Sequence, residues 1–160
     1  MPQGTLFGQD VRGFIINVDG ASRGNPGPAA AGWVIRDADG QVLIEEGLHI
    51  GDDTNNRAEY LALIFALEDA LMLKAEAVLV RSDSELLVKQ IKGEYRVKNA
   101  GLKGFFARVK RLEGAFKLFR VEHIRREANG EADRAANEAL DEVKRSAARK
   151  PPSGQSDYSQ

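Results

Sequence analysis

The sequence predicts an α/β domain: a mixed five-stranded sheet flanked by helices, with its first three strands antiparallel. Three observations carry this. Short apolar, β-branched runs alternate with longer Leu- and Ala-rich stretches. Asp39-Gly40 stands between two strand-like runs, a strong two-residue hairpin signal. The resulting order, β-β-β-α-β-α-α-β-α, sets a long helix between the third and fourth strands. A strand, helix and strand in that order connect as a right-handed crossover, which makes the strands parallel.

Each element follows from its residues. Residues 1–11 read as a flexible leader, 12–148 as the domain and 149–160 as a polar, disordered tail. GFIINV at 13–18 is a buried strand. DGASRGNPGPAA at 19–30 is dense in Gly, Pro and Asn and must turn. AAGWVIRD at 30–37 and QVLIEEGLHI at 41–50 complete the meander. Tyr60 to Leu67 is apolar throughout and the pattern runs to about Leu73, too long for a strand, so a helix buried on most sides fits. AEAVLVRSD at 75–83 is the fourth strand, and SELLVKQIKG at 84–93 a helix capped by Ser84 or Asp83. Residues 99–115 form another helix, KLFRVEHI at 117–124 the fifth strand, and an amphipathic helix begins near Ala128.

Composition narrows the function. The chain has 160 residues, 42% of them hydrophobic, enough for one domain with a real core. No apolar run approaches the ~20 residues that span a bilayer, and MPQGTLFGQD carries no secretory pattern. The absence of cysteine excludes disulfides and thiolate zinc sites. A cytoplasmic, monomeric, non-membrane protein is the expectation. Net charge is −1, yet residues 86–126 carry twelve Lys and Arg against three Glu. Taken alone, such a run reads first as a solvated helix face.

Four acidic residues fall at element ends. Asp19 ends the first strand, Glu59 lies in the first turn of the long helix, Asp83 ends the fourth strand, and Asp133 opens the last helix. Singly, each has an ordinary explanation. Asp19-Gly20 is a turn dipeptide, Asn56-x-x-Glu59 a capping box, Asp83 an N-cap, and Asp133 a complement to the helix dipole. Convergence separates the readings: the first and fourth strands are expected to be parallel neighbours, which sets Asp19 close to Asp83. Carboxylates packed together repel, and a hard divalent metal with oxygen ligands relieves that repulsion. Two such metals can hold the attacking water and the leaving oxygen of a phosphoryl displacement.

These stretches resemble a known family. VDGASRGNPGPAAAGWVI at 18–35, TNNRAEYLAL at 54–63, RSDSELLV at 81–88 and NGEADRAANEAL at 129–140 are similar, in order and spacing, to the four motifs of type 1 ribonucleases H. The resemblance covers roughly residues 12–140 and implies the ribonuclease H-like fold. It also implies hydrolysis of the RNA strand of RNA–DNA hybrids, leaving 5′-phosphate and 3′-hydroxyl ends. Asp19 would bridge two Mg²⁺ ions, with Mn²⁺ a substitute. Asp133 would join it at the metal carrying the nucleophilic water, and Glu59 and Asp83 at the metal beside the leaving oxygen.

The family's mobile residue near the scissile phosphate matches His123 or Arg126 equally well, His123 alternatively being a packed strand-end histidine. The resemblance places Asn25, Asn56 and Glu85 toward the minor groove, where the 2′-hydroxyl marks RNA, with Glu59 also near a ribose hydroxyl; Asn55 is a further candidate substrate-binding residue. Turn and cap chemistry is the alternative for the asparagines. Glu85 departs from the glutamine of many relatives. Thr54 and Asn99 match a pocket for a DNA phosphate, which Asp52 should weaken. The connection between the central helices is too short for the family's basic protrusion, and Trp33 is expected in the core. Lys89, Lys92, Lys98 and Lys103 are then the compensating surface. Three competitors remain: a non-catalytic hybrid-binding module, which would be expected to lack one of the acids; another nuclease of the same superfold, which would not usually carry the DGASRGNPGPA turn; and a scaffold with structural acids.

Overall fold

The structure is a computed structural model that describes Phe7 and residues 11–148, with side chains through Lys144. Five strands form one sheet in the order β3-β2-β1-β4-β5. They are β1 (Gly13–Ser22), β2 (Gly27–Asp37), β3 (Val42–Asp53), β4 (Ala77–Ser82) and β5 (Leu118–His123). Between residues 11 and 148 four helices accompany them: α1 (Asn55–Met72), α2 (Glu85–Lys92), α3 (Ala100–Glu113) and α4 (Gly130–Ala148), the last entered through a 3-10 turn at Arg126–Asn129. β1, β2 and β3 pair antiparallel, and β4 runs parallel to both β1 and β5, as the crossover argument requires. The expected leader and the 149–160 tail lie outside the described residues, apart from Phe7 and Val11.

The meander strands are longer than their apolar runs. β1 continues to Ser22 because Gly20, Ala21 and Ser22 still pair with Ala31, Ala30 and Ala29. β3 likewise runs on to Asp53, which pairs with Gly27. Backbone hydrogen bonds carry these polar extensions, so hydrophobic patterning does not mark them. At the hairpin, Gly40 adopts φ +91°, and the Asp37 carboxylate accepts from the amides of Asp39 and Gln41.

The main core lies between the sheet and the helices α1, α2 and α3. Phe14, Ile16 and Val18 of β1 meet Leu63, Ile64 and Leu67 of α1, all essentially inaccessible. Trp33 belongs to this core, as expected. Its Nε1 donates to Asp69 at 2.8 Å, and its ring centroid lies 5.5 Å from that of Phe65. A smaller cluster of Ala30, Ala136 and Leu140 sits under α4. Among the described residues no helix is long and apolar enough to cross a membrane.

Candidate active site

The last parallel pair between β1 and β4 is Val18 with Ser82. Asp19 and Asp83 each follow by one residue, so both carboxylates stand where the parallel pairing of β1 and β4 stops, Asp19 within β1 rather than ending it as expected. Open α/β sheets gather ligands at the carboxyl ends of such pairs. Ser82 Oγ accepts from the Ser84 amide at 3.0 Å. Ser84 then caps α2, accepting from the Leu87 amide at 3.1 Å, which resolves the Ser84-or-Asp83 alternative and leaves the Asp83 side chain out of the cap.

Glu59 arrives from α1, but not from its first turn. Thr54 is the N-cap, its Oγ1 accepting from Arg57 N at 3.2 Å, and Glu59 is the fifth helical residue. The Asn56–Glu59 capping box is therefore not formed, and Asn56 is exposed within the helix. The first helical turn is polar, so the apolar run that marks the helix starts late. Gly20 lets Glu59 come close: a Cβ there would stand 2.4 Å from the Glu59 nitrogen.

Asp133 comes from the first turn of α4 rather than its first residue. Gly32 is the register partner of Asp19, and residues paired across antiparallel strands share a face. A Cβ on Gly32 would lie 2.3 Å from the Ala132 carbonyl oxygen, so its absence lets α4 settle beside Asp19. Buried Asn129 holds the preceding turn down. It donates to the Val18 carbonyl at 2.9 Å and accepts from Asn17 at 3.0 Å.

The electrostatics are costly. Carboxylate oxygens of Asp19, Glu59 and Asp83 lie within 4.8 Å of one another, and Asp19 and Glu59 are each only 5% exposed. Burial first, then the charges of Asp83 and Asp133, pushes the Asp19 carboxyl up to about 8. Burial, then Asp19 and Asp83, holds Glu59 well above the usual carboxylate range. Among the described residues Glu59 Oε1 is buried with no hydrogen-bond partner, and buried polar atoms are rarely left so. An all-carboxylate donor set with an orphaned oxygen fits a hard divalent cation.

The carboxylates open into a cleft of about 410 Å³, lined also by Ser22, Asn55, Arg126 and Asn137. Comparison with known proteins now decides the lineage: a family model described as reverse transcriptase-like matches residues 17–139. The crystal structure of RNase H1 from Halobacterium salinarum superposes with a TM-score of 0.80 at 43% identity, over 81% of this chain and 98% of that one. The chain belongs to the type 1 ribonuclease H family. It is 45% identical over 125 residues to ribonuclease HI of Halobacterium salinarum, covering 78% of this chain and 63% of that protein. A bifunctional protein of Mycobacterium tuberculosis is 43% identical over 84% of this chain, which spans only 37% of that relative. The crystal structure of LC11-RNase H1 in complex with an RNA/DNA hybrid superposes with a TM-score of 0.78 at 45% identity. It covers 82% of this chain and 99% of that one.

Within this ribonuclease H fold the remaining expected residues fall into separate places. Arg126 lines the cleft, whereas His123 closes β5 as the partner of Ser82, with Nε2 3.3 Å from the Asp83 carbonyl oxygen. Asn25 and Asn55 meet: Asn25 Oδ1 accepts from the Asn55 amide at 2.9 Å. Thr54 and Asn99 cap α1 and α3. Arg57 joins those two caps, its Nε donating to Asp53 at 2.8 Å, its Nη1 to the Gly101 carbonyl, and its guanidinium lying over Phe105. Glu85 stands apart from the cleft, exposed and paired with Lys89 at 3.0 Å, which holds its carboxyl below the usual range. Sequence reading missed Arg57 and Asn137. The signal for Asn137 was its place one turn after Asp133, where side chains on a helix meet.

Proposed function

We propose that this chain is an endonuclease that hydrolyses the RNA strand of RNA–DNA hybrids, leaving 5′-phosphate and 3′-hydroxyl ends. The observation that carries the reading is the convergence of Asp19, Glu59, Asp83 and Asp133 on one cleft with repulsion unrelieved. Asp19 belongs to two groupings at once, with Glu59 and Asp83 on one side and within hydrogen-bond reach of Asp133 on the other. That suits a bridging ligand for two Mg²⁺ ions, or Mn²⁺ in their place. When bound, they would supply an activated water and neutralise charge developing on the phosphate.

The chain's own residues do the rest. Arg126 offers a guanidinium, always charged, to the phosphate in the cleft. Asn25 spends its Oδ1 on Asn55, which leaves its Nδ2 to donate to a ribose 2′-hydroxyl, the group that separates RNA from DNA. Asn55, Asn56 and Glu85 extend that surface, and Glu85 can accept from a hydroxyl but cannot donate to a base. Thr54, Arg57 and Asn99 hold a DNA-strand phosphate. Residues 93–99, the whole connection between α2 and α3, are too short for a basic protrusion. Exposed Lys92, Lys98 and Lys103, with half-buried Lys89, supply the counter-charge instead. Binding should weaken steeply with salt. A monomer acting in the cytoplasm completes the reading.

The test is cleavage of a labelled hybrid with Mg²⁺, with EDTA, and with Asp19→Asn. Hybrid-specific cutting lost in both controls supports the proposal. A wild-type chain that binds the hybrid without cutting it, in Mg²⁺ or Mn²⁺, reduces it to a binding module.

A further inference from the structure

Asp133 is held differently from the other acids. Like Glu59 it rides on a helix, and like Asp83 it is half-buried, but its carboxylate accepts a hydrogen bond from a side-chain amide. Asn137 Nδ2 donates to the Asp133 carboxylate at 3.2 Å and to its backbone carbonyl at 3.0 Å. Asn137 is itself held by Arg23 of the β1–β2 turn. Arg23 Nη2 donates at 3.3 Å both to Asn137 Oδ1 and to its backbone carbonyl, and lies 2.8 Å from Asp141. A guanidinium can only donate, so it sets the orientation of the Asn137 amide, with oxygen toward Arg23 and nitrogen toward Asp133.

We infer that Asn137, oriented by Arg23, is the positioning residue for Asp133. A neutral amide hydrogen bond fixes the carboxylate rotamer while leaving its charge and second oxygen for a cation. Partners behind metal ligands commonly act in this way. The relay also reaches the substrate side, because Arg23 shares its turn with Asn25, which is bonded to Asn55. A hybrid seated on Asn25 would press on the same turn that orients Asp133. The inference rests on the two-metal reading above.

The test compares wild type, Asn137→Leu, Arg23→Leu and the double variant. Four readouts serve: kcat and KM on a hybrid, the Mg²⁺ concentration for half-maximal rate, Tm in EDTA, and the rise in Tm on adding MgCl₂, which reports cation binding directly. Asn137→Leu should lower kcat by about 10- to 100-fold and raise the Mg²⁺ requirement by a similar factor. KM for the hybrid and Tm in EDTA should stay close to wild type. Arg23 is 40% exposed, so Arg23→Leu should fold normally and show the same changes to a lesser degree. The double variant should be no worse than Asn137→Leu alone, since the two residues act in series. Wild-type Mg²⁺ response in Asn137→Leu, or strictly additive losses in the double variant, would overturn the proposal. So would a fall in kcat that merely tracks Tm in EDTA. If wild type itself showed no Mg²⁺-induced rise in Tm and Asp19→Asn still cut hybrid, the two-metal reading would fall first.

Discussion

Two buried polar regions of the molecule behave in opposite ways. Between α1 and α2, Tyr60 donates to Gln90 Oε1 at 2.7 Å, both side chains buried. Burial raises the Tyr60 hydroxyl above its usual range, so it stays neutral. About 410 Å³ of open cleft marks the other region, where Asp19 and Glu59 are buried just as deeply but face further carboxylates and an unpartnered oxygen. The first arrangement is complete with protein atoms alone and stabilises the fold. The second leaves its repulsion unrelieved by protein atoms and fits a hard cation, so its self-repulsion points to function rather than to stability.

The sharpest way to break the contrast is Asp19→Asn. It should abolish Mg²⁺-dependent cleavage, by more than ~100-fold, because partners lying behind metal ligands are already worth that much. The same variant should raise Tm in EDTA, since one repelling carboxylate is gone. Reduced cleavage with an unchanged or lower Tm would refute the repulsion argument.

The pH dependence comes next. Burial and its acidic neighbours push the Asp19 carboxyl up to about 8 in the fold, against about 3.9 for a free aspartate, so between about pH 4 and 8 the native state binds a proton that the unfolded chain releases. Metal-free stability should therefore be greatest at low pH and fall as pH rises through that window, by up to about 1.4 kcal/mol per pH unit for each such proton. Glu59 acts in the same direction. Thermal melts in EDTA from pH 4 to 8 should show the decline, Mg²⁺ should offset it most at pH 8, and Asp19→Asn should flatten it.

Gly32→Ala probes the packing that delivers Asp133. The added Cβ meets the Ala132 backbone, and overpacking of this kind costs about 1–3 kcal/mol. Urea denaturation should show that loss, with kcat falling as well, because α4 must move. Tyr60→Phe should leave Gln90 unsatisfied at a cost of about 1–3 kcal/mol, with kcat for the hybrid within error of wild type. An equal effect of both variants on kcat would erase the distinction between the two regions.

Much was legible beforehand, for identifiable reasons. Strand identity followed from β-branched runs, and the Asp39-Gly40 hairpin from its turn chemistry. The parallel pairing of β1 with β4 followed from the handedness of the crossover. That pairing placed Asp19 beside Asp83, although they are far apart in sequence. Element boundaries were less legible where backbone pairing or polar caps replace hydrophobic pattern: the ends of β1 and β3, and the start of α1, capped by Thr54 rather than by Asn56. Glu59 was assigned to the right edge but the wrong turn for that reason.

The sequence by itself determined the element order, the crossover and the acidic residues at element ends, because periodicity, turn residues and chain handedness are local or nearly local properties. Only the tertiary structure decided that Arg126 rather than His123 enters the cleft, since one register pair, Ser82 with His123, keeps the histidine on the strand. Only tertiary structure brought Arg23 to Asn137 and left Glu59 Oε1 without a partner. Burial, mutual repulsion and hydrogen-bond satisfaction depend on which atoms meet across the fold, and close packing at Gly20 and Gly32 is what makes them meet.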